Sequence, residues 1–202
     1  MLSLDELIRE AEIAHGHLCA GQILGVRLAM FGLAKLGIED PRGKDRKRLV
    51  TFVEIDRCAT DAIGVVTGCR LGKRALKFRD WGKMAATFVD LAAKLPDAGG
   101  NWYKAIRVAA TESSKKMARE MHPEIEDKNK QQMIAYREMK DDDLFSMRWV
   151  KVELPAEEFP GYKSERIVCA ECGEGINFQR EVVRDGRELC RGCAGETYYE
   201  FL

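Results

Sequence analysis

The sequence predicts an α+β fold, in which an antiparallel or mixed sheet with flanking helices is followed by a small cysteine-rich module. Three observations lead to this prediction. The first 36 residues carry apolar side chains at helical spacing, several segments between residues 49 and 154 have strand character, and two cysteine pairs stand near the C-terminus. Pro155 and Pro160 mark a linker, so we expect one domain over residues 1–155 and a second over residues 164–202.

Two helices are predicted at the start of the chain. Ser3 followed by Glu6 has the spacing of a capping box, which satisfies exposed backbone amides at a helix N-terminus. A second helix is predicted from about residue 21 to residue 36, with Gly37 ending it. Two glycines four residues apart on this helix would let another backbone approach it closely.

The middle of the chain predicts strands separated by short helices. The apolar run over residues 49–55 is typical of a buried strand, and Thr60 is placed to cap a short helix after it. Residues 146–154 alternate between apolar and polar side chains, which predicts a half-exposed strand. Further strands are expected at 75–79, 84–91 and 102–109, and two polar-faced helices at 112–121 and 127–141.

Four cysteines form two CxxC pairs separated by seventeen residues: Cys169 with Cys172, and Cys190 with Cys193. Each pair places two thiolates on one tight turn. Two facing pairs make a closed tetrahedral site of four sulfur ligands, which suits structural zinc. Redox pairs or disulfides are the alternative, but neither pair opens a βαβ unit. We therefore expect a structural Zn²⁺ in a small zinc ribbon or finger.

Composition narrows the functional classes. The chain has 202 residues, of which 46% are hydrophobic and 33% charged, and its formal net charge is zero. No segment approaches the roughly 18–20 apolar residues of a membrane span, and the N-terminal residues lack signal-peptide features, so we expect a cytoplasmic protein without membrane contact. The odd number of cysteines favours metal ligation over disulfides. Residues 161–202 hold six basic and eight acidic side chains, which argues against nucleic-acid binding.

A second cluster of metal-ligand residue types lies near the N-terminus, where His15, His17 and Cys19 fall within five residues. In a helix His15 and Cys19 would share a face; if Gly16 breaks the helix, His17 and Cys19 would alternate onto one side. A site made of one or two of these histidines with Cys19 and with Cys58, which follows the first predicted strand, would leave a coordination position open. Three protein ligands and an open position are typical of catalytic zinc sites. A metal-free nucleophilic thiol and ordinary packing are the alternatives.

Two basic segments accompany this cluster. Residues 42–48 are predicted to be a solvated loop. Residues 70–83 follow Cys69 directly and carry six basic side chains against one acidic side chain, so Lys73 is a candidate to hold a carboxylate or phosphate. The tryptophans are interpreted as core or dimer contacts: Trp81, Trp102 and Trp149.

The order and spacing of these motifs resemble the FmdE family of formylmethanofuran dehydrogenase subunits over roughly residues 10–90. The matching residues are His15-Gly16-His17-Leu18-Cys19-x-Gly21 with Gly25, Cys58-x-x-Asp61-Ala62-Ile63, Thr67-Gly68-Cys69 with Gly72-Lys73, and Trp81-Gly82-Lys83-x-Ala85. Two departures concern the ligand pocket: Ala20 stands where the family usually has proline, and Arg70 and Arg74 replace small or polar residues. The C-terminal module looks like a DksA/TraR-type four-cysteine zinc finger.

The resemblance implies an α+β fold, a homodimer and a second Zn²⁺ or other divalent metal in the N-terminal domain. The best ligand candidates that it implies are His17, Cys19 and Cys58, with His15 and Asp61 close by; His15 is counted with them as a metal residue. The candidate catalytic residues are Cys19, Cys58, Asp61 and Lys73, with Asp61 orienting a ligand or acting as a base and Lys73 holding a small anionic substrate.

Formylmethanofuran dehydrogenase chemistry requires a molybdenum or tungsten pterin, iron–sulfur clusters and other subunits, and this chain has no ferredoxin cysteine spacing. We therefore expect either a separate metal-dependent enzyme or an accessory component of such a complex. The alternatives are a non-enzymatic regulator that docks a protein partner through the finger, and a metal-free cysteine redox enzyme.

Overall fold

The computed structural model of the protein describes residues 1–96 and 99–200. The chain divides into two compact units, Met1–Leu154 and Pro155–Leu202. The last two residues of the predicted C-terminal domain lie outside the described residues. Within the described part of the chain, no helix is both long and apolar enough to cross a membrane.

The first unit contains six helices among its described residues and one sheet. The helices are α1 (Leu4–His15), α2 (Ala20–Leu36), α3 (Cys58–Thr67), α4 (Ser113–Met121), α5 (Lys128–Glu138) and α6 (Asp141–Leu144). The strands are β1 (Leu49–Val53), β2 (Leu76–Phe78), β3 (Ala85–Lys94), β4 (Trp102–Ala110) and β5 (Phe145–Glu153).

The five strands form a mixed sheet in the order β2-β1-β3-β4-β5. β1 runs parallel to β2, and all other neighbouring strands are antiparallel. Phe88 lies near the centre of the sheet, opposite Thr51 on β1 and Ile106 on β4. The predicted α+β architecture with a mixed sheet and flanking helices is confirmed.

Helix α2 is the centre of the packing. It is apolar on nearly all sides, as expected for a helix that other elements surround. A Cβ atom at Gly32 would collide with the Phe88 ring, so this glycine allows α2 to lie directly on the sheet. A Cβ at Gly25 would lie 2.5 Å from the carbonyl oxygen of Ala59, so α3 approaches the backbone of α2 on another side. The predicted close approach at the helix glycines is therefore found at Gly25.

One predicted helix cap is found in the structure and another is not. Ser3 and Glu6 form the expected capping box at the start of α1. Helix α3 begins at Cys58 with Arg57 at its N-cap, so the prediction that Thr60 caps it was wrong. The Thr60 hydroxyl instead donates to the carbonyl of Ile55, inside the turn that leads from β1 into the helix.

Two further predictions are corrected by the structure. The helix expected over 127–141 ends at Glu138, and a separate short helix, α6, follows it. Trp81 and Trp149 do not lie in the core, because they are 62% and 46% exposed. A lysine stacks over each ring instead, with Lys104 Nζ only 4.2 Å from the centre of the Trp149 ring. The dimer alternative for these tryptophans stays a prediction.

The second unit is built from two short hairpins and a helical turn. Its strands are β6 (Ile167–Val168), β7 (Gly175–Ile176), β8 (Val182–Arg184) and β9 (Arg187–Leu189), which pair as β6–β7 and β8–β9. A helical turn over Gly192–Glu196 follows. The described core is small and consists of Cys169, Ile176, Leu189 and Ala194.

Candidate metal centres

Three chain segments converge at one end of the helical layer of the first unit. His15 is the last residue of α1, and Gly16 ends that helix with a φ of +93°, a left-handed conformation that favours glycine. Cys19 is the N-cap residue of α2, and Cys58 is the first residue of α3. The short link between α1 and α2 therefore brings His15, His17 and Cys19 to the N-terminus of α3.

His15, His17 and Cys19 are close enough together to share a metal ion. One candidate ligand atom from each of the three side chains lies within 4.8 Å of the other two. The two imidazole rings are 4.7 Å apart between their centres. The backbone turn at Gly16 lets both histidines approach Cys19, so the two geometries that the sequence left open are replaced by one cluster of two imidazoles and one thiol.

Cys58 adjoins this cluster through Cys19. A Cβ atom at Gly21 would lie 3.3 Å from Cys58 Cβ and 3.6 Å from Cys19 Sγ, so both cysteines lie against this glycine. Burial chiefly, together with a hydrogen bond to Cys19, raises the pKa of the Cys58 thiol above its ordinary value. The Cys58 thiol therefore lies beside the sulfur of Cys19.

Asp61 contacts His15 directly. Its Oδ2 atom lies 2.8 Å from His15 Nδ1, across a sequence separation of 46 residues. Asp61 stands one turn after Cys58 on α3, so the same helix presents the thiol and the carboxylate. A carboxylate beside Nδ1 favours the proton on that nitrogen, which leaves Nε2 of His15 available as a candidate ligand atom.

Two residues that the sequence analysis did not identify form hydrogen bonds to the backbone segments that carry the two cysteines. The Nε2 atom of Gln22, on α2, donates to the carbonyl of Cys58 at 2.7 Å, which ties the two cysteine segments together. The side-chain oxygen of Asn129, on α5, accepts a 3.0 Å hydrogen bond from the amide of Ala20. Gln22 was identifiable as a lone amide in an apolar helix, whereas Asn129 has no local signal because its partner is 109 residues away.

Lys73 does not belong to this cluster in the structure. It lines a cavity together with Gly68, which follows the C-terminus of α3. Cys58 stands at the other end of this ten-residue helix, about 14 Å away at 1.5 Å of rise per residue. The structure therefore brings together His15, His17, Cys19, Cys58 and Asp61, and places Lys73 elsewhere.

The second unit holds a cluster of four cysteines. The Sγ atoms of Cys169, Cys172, Cys190 and Cys193 all lie within 4.8 Å of one another. The Sγ atoms of Cys172 and Cys190 are 3.9 Å apart, close to the roughly 3.8 Å edge of a tetrahedron with zinc–sulfur bonds of about 2.3 Å.

Two thiols of this cluster have pKa values that are shifted in opposite directions. Backbone amides, first that of Cys190 at 3.2 Å, donate to Cys169 Sγ and lower the pKa of this thiol to about 6. A hydrogen bond with Cys190, together with desolvation, raises the pKa of Cys193. Because crowded thiols resist sharing negative charge, a dication is the natural counter-ion for four thiolates at these distances. The donor set therefore fits zinc.

The fold and the two clusters define the class: an α+β domain with a His/Cys cluster, followed by a four-cysteine finger. Residues 14–146 match the family described as "FmdE, Molybdenum formylmethanofuran dehydrogenase operon", and residues 161–199 match the prokaryotic DksA/TraR C4-type zinc finger. The chain belongs to the FmdE family and carries this finger at its C-terminal end.

Two known proteins are similar to this chain over most of its length. A protein of Archaeoglobus fulgidus named "Probable S-adenosyl-L-methionine-binding protein" is 31% identical over 217 residues, which cover 96% of this chain and 54% of that protein. The chain thus spans about half the length of this curated relative. The crystal structure of a tungsten formylmethanofuran dehydrogenase FmdE-like protein from Syntrophus aciditrophicus shares the fold, with a TM-score of 0.66, 20% identity and coverage of 98% of this chain and 96% of that chain.

Proposed function

We propose that this protein holds two metal ions of different purpose: a structural zinc in the finger and a reactive divalent metal in the FmdE-like domain. The observation that carries the second assignment is the group of three candidate ligand atoms from His15, His17 and Cys19 within 4.8 Å of one another. Three protein ligands leave one coordination position open, which is the arrangement of catalytic rather than structural zinc.

The surrounding residues are suited to support such a metal. Asp61, at 2.8 Å from Nδ1 of His15, would fix the orientation of the imidazole and keep the proton on Nδ1. Gln22 and Asn129 would hold the segments that carry Cys58 and Cys19 in place. When bound, a divalent metal would supply Lewis acidity toward a carbonyl oxygen or a water.

Cys58 has a different role in this proposal. It lies against Gly21 beside the sulfur of Cys19, at the edge of the three-ligand group rather than within it. A thiol in this place can donate a proton to a ligand at the open position, or it can occupy that position as a fourth ligand. The reaction class that this set of groups supports is activation of a small carbonyl or acyl compound.

The proposal can be tested against a metal-free thiol enzyme by cysteine labelling. Cys19 should resist a maleimide reagent at mildly acidic pH until a chelator removes the metal, because a metal-bound thiolate is protected. Reaction of Cys19 at the same rate with and without chelator would favour the metal-free alternative. Cys69, whose thiol is buried and belongs to neither cluster, should stay unlabelled with and without chelator and serves as the internal reference.

A second function, docking of a protein partner through the finger, is favoured by its surface. Tyr198 is 95% exposed, and Val168 and Val183 are 61% and 64% exposed. Exposed apolar side chains would mark a docking surface if these three form one contiguous patch. We expect a partner of the finger to protect these three side chains, and replacement of all three by serine to abolish its capture while the metal content stays unchanged.

We also propose that the protein forms a homodimer through its β5 edge. β5 is a terminal strand of the sheet, and it exposes Met147 and Trp149. An exposed strand edge with apolar side chains offers both backbone and side-chain contacts to a second copy. Replacement of Trp149 by glutamate should convert the dimer into a monomer in light scattering, and an unchanged mass would contradict this surface.

A further inference from the structure

The two basic segments of the sequence, which are separated by more than twenty residues, line one cavity. The cavity has a volume of about 430 Å³. Arg42 and Arg46 reach it from the turn before β1, and Arg70 and Lys73 reach it from the turn after α3. The first segment was predicted to be a simple solvated loop, so this convergence is a product of the fold.

The residues that line this cavity carry more positive than negative charge. Glu10 is the one acidic residue among its lining residues, and it pairs with Arg42. Within residues 1–96 and 99–200, the side chains of Arg46, Arg70 and Lys73 make no ion pair. The C-terminus of α3 supplies only about half a negative charge, which is less than three cations require. The lining is therefore complementary to an added anion.

The backbone conformation fixes the positions of the basic residues that line the cavity. Gly68 ends α3 with a φ of +68°, and a Cβ at this position would lie 3.0 Å from Cγ of Arg42. The Arg42 side chain therefore lies against the turn that leads into the second basic segment. Leu71–Lys73 forms a tight helical turn that ends at Arg74, itself in the left-handed conformation with a φ of 57°. The spacing of Arg70 and Lys73 is thus set by a hydrogen-bonded turn.

The cavity also has an apolar wall. Ile13 is 76% exposed and lines the same cavity as the buried Val65 and Pro41. An exposed isoleucine next to arginines fits a ligand with an anionic end and a flat or apolar end. The volume falls within the range of about 300–1,000 Å³ that is usual for small-molecule sites. A concave site of this size is less suited to a nucleic-acid duplex, whose phosphates require an extended basic surface.

We propose that this cavity binds a small molecule that carries two linked phosphate groups, of the nucleoside diphosphate class. Arginine side chains bind phosphate oxygens in a bidentate manner, and a single phosphate carries only about 1.5 to 2 negative charges, fewer than the three unpaired cations. Ala14, the neighbour of His15, lines the cavity, but none of His15, His17 and Cys19 does, so the proposal does not depend on a metal at the cluster.

The test is calorimetric titration of the full chain with ADP and with inorganic pyrophosphate at about 0.15 M salt. We expect a Kd below about 1 mM for both probes. The double variant R70A/K73A should bind at least about tenfold more weakly, since charged hydrogen bonds are lost. The control is Lys47→Ala, because Lys47 is exposed in the same turn as Arg46 but does not line the cavity; its Kd should stay within about twofold of the wild-type value.

Three results would overturn the proposal. These are no measurable binding of either probe, an equal loss in the Lys47→Ala variant, and an oligonucleotide that binds more tightly than ADP and depends equally on Lys47 and Arg70. The metal content of R70A/K73A should equal that of the wild type. Failure of the anion site is therefore distinguishable from failure of the proposed metal site.

Discussion

The Nδ1 atom of His15 and the Oδ2 atom of Asp61 lie 2.8 Å apart, and this contact joins the end of α1 to the first turn of α3. It gives the His/Cys cluster the carboxylate–imidazole arrangement that typically orients a metal-ligating histidine. The contact depends on two helix termini meeting, because neither residue has its partner within its own element.

Asp61→Asn should weaken N-terminal metal binding while leaving the metal of the finger in place. The amide keeps the size of the side chain but removes the charge that orients His15, and loss of such a partner typically costs about 10–100-fold in metal affinity. Competition with a chromophoric chelator measures this affinity. Asp56→Asn is the matched control, since Asp56 is an exposed acidic residue of the loop before α3. Equal metal affinities for both variants would show that Asp61 does not support metal binding.

Arg107→Met should destabilise the first unit by about 3–5 kcal/mol. Arg107 donates to both carboxylate oxygens of Glu54, at 2.7 and 2.6 Å, and the Glu54 residue is only 3% exposed. The variant leaves this carboxylate buried without a counter-charge. Denaturant unfolding measures the effect.

The control for this pair is Arg148→Met, because Arg148 lies opposite Arg107 on β5 and is exposed. Its change in unfolding free energy should stay within about 0.5 kcal/mol. The double variant E54L/R107M should recover much of the stability, since it removes both buried charges. A similar loss in the Arg107 and Arg148 variants would show that the pair contributes little.

Stability should fall at alkaline pH because of Cys69. Burial raises the pKa of this thiol above its ordinary value of 9.0. Above about pH 9 the unfolded chain releases the proton while the folded chain retains it, so the folded state binds more protons and its stability decreases as pH rises. Cys69→Ala lacks this contribution, so its unfolding free energy should decline less steeply between about pH 9 and pH 10.5. An equally steep decline of the unfolding free energy in wild type and variant would show that Cys69 does not cause the loss of stability.

Removal of metal should unfold the second unit selectively. Its described core consists of four small or medium side chains, one of which is Cys169 itself, and a core of that size does not stabilise a fold without a metal. Hydrogen exchange after chelator treatment should show loss of protection in Ile167–Val168 and Arg187–Leu189, with protection in β3 and β4 unchanged. Retained protection in the finger strands would mean that they fold without the ion.

Local sequence signals predicted the elements whose determinants are local. The Ser3 capping box, the glycine that ends α2, and the two CxxC pairs each depend on residues a few positions apart, so spacing was sufficient. The prediction that Thr60 caps α3 failed because the Thr60 hydroxyl already donates to the carbonyl of Ile55, in the turn between β1 and α3.

The contacts that support the site could not be predicted from the sequence. Asn129 reaches Ala20 across 109 residues, and Arg42 meets the turn at Gly68 only in the folded chain. Periodicity describes one element at a time, whereas these contacts join elements that are distant in sequence. The separation of Lys73 from Cys58 by the length of α3 follows from the direction of that helix, which no spacing motif encodes.

The most direct test of the two-metal account is elemental mass spectrometry of the full-length protein and three single variants. We expect two metal ions per chain in the wild type and in Cys69→Ala, and one in each of Cys19→Ser and Cys172→Ser. The ion retained by Cys19→Ser should be zinc. One ion per chain in the wild type that persists in Cys19→Ser and disappears in Cys172→Ser would contradict a metal at His15, His17 and Cys19.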